Sequence, residues 1–393
     1  MRVLCSTTPM EGVFGPFIPL GRALIKQGDE LIIATGDDLP TRAGTNGMRF
    51  VSAGLSAMDG AVAAMADAEV QAAPGGDRIR FPAAMFGAVI PASKLPALRT
   101  LAASWRPDLI VHPPVDLAGP LLAAELSVPS VCYGFGQPFD PDVVAAIAAR
   151  VSPMWDAAAL APDAYGGIYR GLYLDPCPPS LGGTDAEVPA SQGVQPIRPE
   201  VPGDPAAPLP EWAQELGTRP VVYVSLGTAP QFNQPASFQP LLAGLAGTGA
   251  EVVVTVSRLH DPAALGELPP TVHVEQWLPL APLLARCDAV VCHAGTGTTL
   301  ASLAAGLPLV LIPQGADQFD NARACEQAGV AHVLLGDQVT PEAVRQAIDA
   351  VLAHTSPERA AARGLAAEIA SMPSATEVAG TLTTFAERTR AAA

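Results

Sequence analysis

Short apolar runs of strand length alternate with segments of helical period in the first third of the chain. Val3–Ser6, Leu31–Ala34, Phe50–Ser52, Leu109–His112 and Ser130–Tyr133 are predicted strands. Such alternation is the mark of βαβ units building a parallel sheet. Between the first two strands, Pro16–Gln27 has a helical pattern, with proline in its opening turn and Gly28 just past its end. The same alternation resumes after residue 210, with strands predicted at Val221–Ser225, Val252–Val256, Val272–Gln276, Ala289–Cys292, Leu309–Ile312 and Ala331–Leu335. The stretch 175–210 breaks the pattern: it carries ten prolines and little apolar periodicity, and reads as an interdomain linker without core elements. The expected organisation is therefore α/β, with two Rossmann-like, doubly wound parallel-sheet domains over 1–205 and 211–356. A helical, alanine-rich tail over 357–393 is expected to pack back on the N-terminal domain. Two such sheets bind ligands at the carboxyl ends of their strands, across a cleft if the halves face each other.

Composition agrees with two full domains: 393 residues, 49% hydrophobic and 15% charged, are enough to bury two cores. The net charge of −16, with Lys26 and Lys94 the only lysines, excludes a phosphate-neutralising surface, so neither nucleic acid nor an anionic membrane is an expected partner. Any bound phosphate would have to be held mainly by backbone groups and dipoles. The six cysteines show no CxxC spacing and read as free thiols in a reducing compartment. Neither an export signal nor 18 uninterrupted apolar residues occur, so a cytoplasmic location is expected.

The chemistry concentrates in CDAVVCHAGTGTTLASLAAGLPLVLIP. This segment reads as a strand ending at Cys292, a glycine-rich turn, a short helix over Thr298–Ala305 and a further strand. Gly295 and Gly297 allow close backbone approach. The helix N-terminus offers unpaired N–H groups and a positive dipole end, which suits a pyrophosphate. Thr296, Thr298 and Thr299 add hydroxyls, and His293 can donate to a phosphate oxygen. No Gly-Lys-Ser/Thr is present, so this is not a P-loop. Alone, such a turn is equally explained by tight packing. Its neighbours change that: Trp277-Leu278-Pro lies sixteen residues before His293, and Asp317-Gln318 follows the next strand.

Trp277, His293, Gly295, Thr298 and Asp317-Gln318, in this order, resemble the donor-binding signature of the family-1 glycosyltransferases of GT-B fold, bacterial natural-product type. The resemblance implies that Trp277 stacks on a nucleobase, His293 and Thr298 bind phosphate, and Asp317 with Gln318 bonds sugar hydroxyls. It extends the donor site to Leu278 and, through Ser225-Leu-Gly-Thr228, to a second donor loop. Where plant members carry a ribose-binding Glu this chain has Ala301, which points to a 2′-deoxyribose donor such as a dTDP-sugar, although bacterial members often lack that Glu whichever donor they use. The implied activity is inverting transfer of a sugar from an NDP-sugar (dTDP or UDP) to a hydrophobic, aromatic or polyketide small molecule. No cofactor is implied, and the oligomeric state is left open, with a homodimer one option.

Gly12-Val13-Phe14-Gly15-Pro16 also resembles the family, whose usual form has His where Val13 stands. In the family that His is the general base. Asp116, Asp140 and Glu11 are the replacement candidates, with His112 a strand-end histidine. Alternatively the acceptor needs little help from a base, or the protein binds the donor without transferring its sugar. A nucleotide-sugar epimerase of the same fold is a further alternative. Asp140-Pro141-Asp142 matches an Asp-x-Asp metal motif but reads better as a helix start with Asp140 as N-cap, and no metal is expected. Val13, Phe14, Met58, Met85 and Phe86 are the expected acceptor contacts.

Overall fold

The computed structural model describes the chain apart from residues 40–46, 74–76, 183–187, 190–191, 202–205, 230–231, 259 and 393. Its contacts divide it into two units. One comprises Met1–Pro176, Thr184–Ile197 and Pro373–Ala393, the other Cys177–Gly183 and Arg198–Met372.

The first unit is a seven-stranded sheet of β1 (Arg2–Ser6), β2 (Glu30–Thr35), β3 (Arg49–Ser52), β4 (Leu109–His112), β5 (Ser130–Tyr133), β6 (Leu172–Asp175) and β7 (Val194–Pro196). Its order is β3-β2-β1-β4-β5-β6-β7 and every pairing is parallel. Alternate residues of each strand feed two cores. Val3, Cys5, Ile33, Leu109 and Val111 face helix α1 (Ile18–Lys26), while Leu4, Ile32, Ile110 and Cys132 face α3 (Ile90–Trp105), α4 (Ala118–Leu126) and α5 (Pro141–Ala157). Between β3 and α3 lies the short helix α2 (Ala57–Met65). The central strands are near-continuous apolar runs because helices cover both faces.

Two elements depart from the expectation for residues 175–210. β6 brings the chain to Asp175, and β7 then adds a seventh strand inside the stretch predicted to lack core structure. Ile197 just beyond it is 2% exposed. The proline-rich composition is compatible with this because β7 is an edge strand, and Pro196 can close it without breaking a ladder on a second side.

The second unit repeats the architecture with six strands: β8 (Val221–Ser225), β9 (Glu251–Thr255), β10 (Val272–Glu275), β11 (Ala289–Cys292), β12 (Leu309–Leu311) and β13 (Ala331–Val333), ordered β10-β9-β8-β11-β12-β13 and all parallel. Its helices include α6 (Pro235–Leu245), α7 (Thr296–Ala304), α8 (Gln318–Gln327), α9 (Pro341–Leu352) and α10 (Pro357–Ser371). The expected single tail parts at Met372. Ala362, Leu365 and Ile369 of α10 belong to the second unit's core, and only α11 (Ala375–Ala392) joins the first unit. There Val378, Ala379, Leu382, Phe385 and Ala386 form an apolar stripe at helical spacing in the same cluster as α1. Arg390 fixes the end of α11 on Asp108 at 2.7 Å.

The helical run Arg80–Trp105 is long and apolar enough, by length and composition, to cross a membrane. Half of it is buried, and at its centre Lys94, 1% exposed, points into the unit's interior. It is a core helix. The Lys94 ammonium donates to the carbonyls of Thr7 (2.7 Å) and Ala34 (3.2 Å) and forms an ion pair with Asp116, which is fully buried. Asp116 also accepts from Ser6 Oγ (3.1 Å) and the Gly119 amide (3.2 Å) in the first turn of α4. Gly54, with φ +88°, makes room for the lysine stem: a Cβ there would lie 2.4 Å from Lys94 Cγ. The pair ties the carboxyl ends of β1, β2 and β4 into one knot.

Removing one partner of such a pair strands the other without solvent, a loss of about 3–5 kcal/mol. Lys94→Met and Asp116→Asn are each expected to lower the urea-unfolding free energy by that amount. The double variant Lys94→Met/Asp116→Asn should lose less than the sum of these two singles. A Lys94→Met protein as stable as the parent would show that the knot does not hold the sheet ends.

Candidate functional site

In both sheets the strand order reverses beside the first strand, between β1 and β4 in one unit and between β8 and β11 in the other. Doubly wound sheets open a crevice at that point. In the second unit both predicted donor loops converge there, since Ser225 ends β8 and His293 follows β11, and these strands pair directly through Cys292 and Ser225.

His293, 9% exposed, is wedged between the two loops. A Cβ on Gly227 would stand 2.4 Å from its Nε2, and one on Gly295 2.3 Å away. These two glycines are therefore required by the imidazole, whereas Gly297 is exposed and a Cβ there would meet open space. Burial pushes the His293 pKa down to about 4, partly offset by the Ser225 backbone, so the ring is neutral near pH 7. Its Nδ1 makes no hydrogen bond of proper geometry among the described residues.

Helix α7 begins two residues earlier than the sequence predicts, with Gly295 as an N-cap that supplies no side-chain acceptor. The first-turn amides thus stay available at the positive end of the helix. The threonines divide. Thr296 donates to Asp317 at 3.1 Å and Thr299 is buried beside Cys292, so of the three expected hydroxyl donors only Thr298 remains turned partly outward.

Asp317 and Gln318 open α8. Asp317 Oδ2 accepts from Thr296 Oγ1 and from Asn321 Nδ2 (2.9 Å), and burial raises its pKa while these bonds pull it back down. Gln318 Oε1 accepts the Gln314 and Gly315 amides at 2.8 and 3.1 Å. One carboxylate oxygen of Asp317 and the single side-chain oxygen of Gln318 are thus committed to shaping the loop. Asn321 carries more of the site than its sequence position suggested. Its Nδ2 reaches the Ala294 carbonyl (3.0 Å), Thr296 Oγ1 (3.0 Å) and Asp317, bracing Ala294 in a left-handed conformation, φ +63°. A non-glycine residue in that region needs such support. Asn233 does the equivalent for the other loop, donating to the carbonyls of Leu226, Gly227 and Ala229. Spacing of four residues from Asp317 on one helix face was the available signal for Asn321; Asn233 had none.

Trp277 is 54% exposed, with the Arg258 guanidinium 4.5 Å from its ring centroid. Leu278, predicted beside it as a donor contact, has its side chain in the core at 6% exposure, which leaves only its backbone for such a role. Ala301 is likewise packed in that core.

The first unit treats its predicted residues less uniformly. Asp116 is sealed in the lysine knot and cannot serve a substrate without breaking it. His112, 1% exposed, has its pKa pushed down to about 4 by burial, and its Nδ1 lies 3.1 Å from the Pro113 carbonyl. Asp140 is exposed and caps α5 by accepting the Asp142 amide at 2.8 Å; the helix it starts runs to Ala157. Phe14, expected to contact the acceptor, is instead core, edge-on to Phe50 at 5.6 Å. Val13 and Met85 are buried at 6% and 4%, Phe86 is half-buried, and Met58 is exposed at 66%. Met85 and Phe86 lie in a π-helical turn, Met85–Val89, that packs against α5. Gly87 there would place a Cβ 2.5 Å from the Ile147 carbonyl. A niche that sequence reasoning missed is lined by Pro114, Phe135, Phe139, Tyr169 and Tyr173, next to Asp140 in the chain. Among the described residues no cluster of three metal-ligating side chains occurs.

Residues 79–227 match the N-terminal domain, and residues 239–385 the C-terminal domain, of the erythromycin biosynthesis protein CIII-like family. The chain is 33% identical to the L-demethylnoviosyl transferase of Streptomyces niveus, covering 96% of this chain and 97% of that one. It is 32% identical to the elloramycin glycosyltransferase ElmGT of Streptomyces olivaceus, over 98% and 97% of the two chains. The solved glycosyltransferase SsfS6 of Streptomyces sp. SF2575, complexed with thymidine diphosphate, aligns with a TM-score of 0.79 at 25% identity, over 98% of this chain and 99% of that one. The architecture is accordingly the GT-B fold.

Asn321→Ala should release Ala294 and Asp317 together, weakening nucleoside diphosphate binding by at least tenfold in calorimetric titration, a larger loss than for a surface substitution on the same helix. Acid provides a second check. His112 and His293 have folded pKa values near 4 against an ordinary 6.5, so the unfolded chain takes up their protons first as pH falls. Their stabilising contribution is complete above about 6.5 and is lost between there and 4, up to roughly 3 kcal/mol for each ring. Urea midpoints should fall across that window, and His293→Gln should flatten the fall.

Proposed function

The chain belongs to the erythromycin biosynthesis protein CIII-like family of antibiotic-pathway glycosyltransferases, and from that membership we propose that it transfers a sugar from a dTDP-sugar, with inversion, to a hydrophobic aromatic or polyketide acceptor. It is an NDP-sugar-dependent enzyme. The observation that carries the fuller reading is the uncapped N-terminus of α7 beside the neutral His293, at the switch point of the second unit. Backbone amides and one imidazole N–H suit a leaving diphosphate in a protein that has almost no lysine to offer.

On this reading Trp277 receives the base, the amides of α7 with Thr298 and His293 hold the diphosphate, and the sugar is held by the second carboxylate oxygen of Asp317 and the side-chain N–H groups of Gln318. Ser225, Thr228, Gly295 and Gly297 shape the same surface. A thymidine donor is supported by the thymidine diphosphate carried by the SsfS6 relative. The acceptor hydroxyl or ring carbon attacks the anomeric carbon as the bond from that carbon to the diphosphate oxygen breaks. The bonding pair leaves with dTDP, and the proton passes to Asp140. Asp140 is preferred over Asp116 because its carboxylate is exposed and carries no buried cation. An apolar acceptor is supported by Met58, Val62 and Met65, exposed at helical spacing along α2. No metal enters the scheme.

Incubation with dTDP- and UDP-sugars and a panel of aromatic and macrolide aglycones should give an adduct from the dTDP donors, with the anomeric configuration inverted by proton NMR and the rate unchanged by EDTA. Preference for UDP donors would overturn the thymidine assignment. Asp140→Asn keeps a good N-cap and should cut kcat by about 10²–10⁴; an unimpaired variant would remove Asp140 as the base.

A further inference from the structure

Trp277 follows β10, and Arg258 follows β9, the neighbouring strand. The two strands run in register to their ends, where the Val256 amide bonds the Glu275 carbonyl at 3.0 Å. Ser257 then turns the chain with φ +74°, and Gln276 Nε2 donates to the His260 carbonyl at 3.0 Å, holding the two loops together. This local geometry lays the Arg258 guanidinium over one face of the Trp277 indole, 4.5 Å from the centroid. The indole is nevertheless 54% exposed. A large aromatic ring left half in water on a single-sided support is a platform with one face free.

We propose that Arg258 is a positioning residue for the nucleobase: it backs the indole on one face, fixing the ring plane so that a pyrimidine stacks on the other. The inference rests on the reading of Trp277 as the base platform. The cation draws on the negative face of the ring quadrupole and restricts an exposed side chain that has two rotatable bonds. The base then meets a ring already oriented, with less entropy lost on binding. Arg258 acts through Trp277, so its effect belongs to the base and not to the diphosphate, which the α7 amides and His293 address.

The test uses the full chain and two probes, dTDP and inorganic pyrophosphate, titrated calorimetrically. Arg258→Met keeps the length of the stem and removes the cation; Arg258→Lys keeps a cation. In Arg258→Met the Kd for dTDP should rise about two- to fivefold, the size expected of an exposed cation–π contact, while the Kd for pyrophosphate stays unchanged. Arg258→Lys should recover most of the loss. In turnover the defect should fall on the donor KM and not on kcat. Unchanged dTDP affinity in Arg258→Met would overturn the proposal, as would an equal loss for pyrophosphate, which would make Arg258 a general attractor of phosphate. Trp277→Ala separates the two layers of the argument. If the parent binds dTDP and Trp277→Ala binds it equally well, the platform reading itself fails, and this inference with it.

Discussion

An ammonium and a carboxylate, both sealed from water, meet where β1, β2 and β4 end, and the shape of the first unit's switch point follows from how they are satisfied. Lys94 spends its protons on Asp116 and on the carbonyls of Thr7 and Ala34. Asp116 takes Ser6 and the start of α4 in addition. Isolated, each charge would cost several kcal/mol to bury; together, with their remaining hydrogen-bonding capacity used, they become a rivet between three strand ends and two helices. Charges so placed hold one geometry, because any shift strands a charge. The crevice that a doubly wound sheet ordinarily offers to a ligand is here occupied by the protein's own ion pair.

The second unit solves the same topological problem with neutral groups. Asn233 and Asn321 gather backbone carbonyls, and two glycines close on His293. None of these consumes the amides at the N-terminus of α7. The positive end of that helix is therefore left for an anion, while in the first unit the corresponding helix, α4, has its first-turn amide taken by Asp116. Two copies of one fold thus differ in what fills the switch point: an internal carboxylate in one, and in the other open helix amides, which the proposed function assigns to a phosphate. A net charge of −16 makes this division consequential, since the molecule has only two lysines and holds Lys94 inside.

The central strands of both sheets were legible because helices cover them and make them continuous apolar runs, and the order of motifs from Trp277 to Gln318 was legible because it is local. What was not legible is nonlocal or atypical. β7 hides in a proline-rich stretch because an edge strand tolerates residues that a central strand excludes. The C-terminal segment reads as one helical tail, yet its two helices part at Met372, since each apolar stripe says that it is buried but not against which unit. Asp116 looks in sequence like a free loop carboxylate; its partner lies 22 residues away on a helix whose apolar pattern gives no hint of a buried cation. Phe14 and Leu278 resemble contact residues by position and are core by packing. Thr296 and Thr299 point inward because the helix begins earlier than its glycines suggest.

With Val13 apolar and Asp116 committed to Lys94, the chemical demand on the acceptor side shifts toward the acceptor itself. A sugar transfer needs a nucleophile that can shed its proton as the new bond forms, and an imidazole held beside a hydroxyl is one way to provide that. The first unit offers instead an exposed carboxylate at the head of α5, with one oxygen engaged by the helix it caps, next to rings of Phe135 and Phe139 set edge to face at 5.8 Å. A carboxylate is a weak base, suited to a proton that is already loosely held. On the proposed function, such a base goes with an aromatic hydroxyl or an electron-rich ring carbon as nucleophile. On the proposed function, the replacement of histidine by Val13 narrows the acceptor range and does not abolish the reaction.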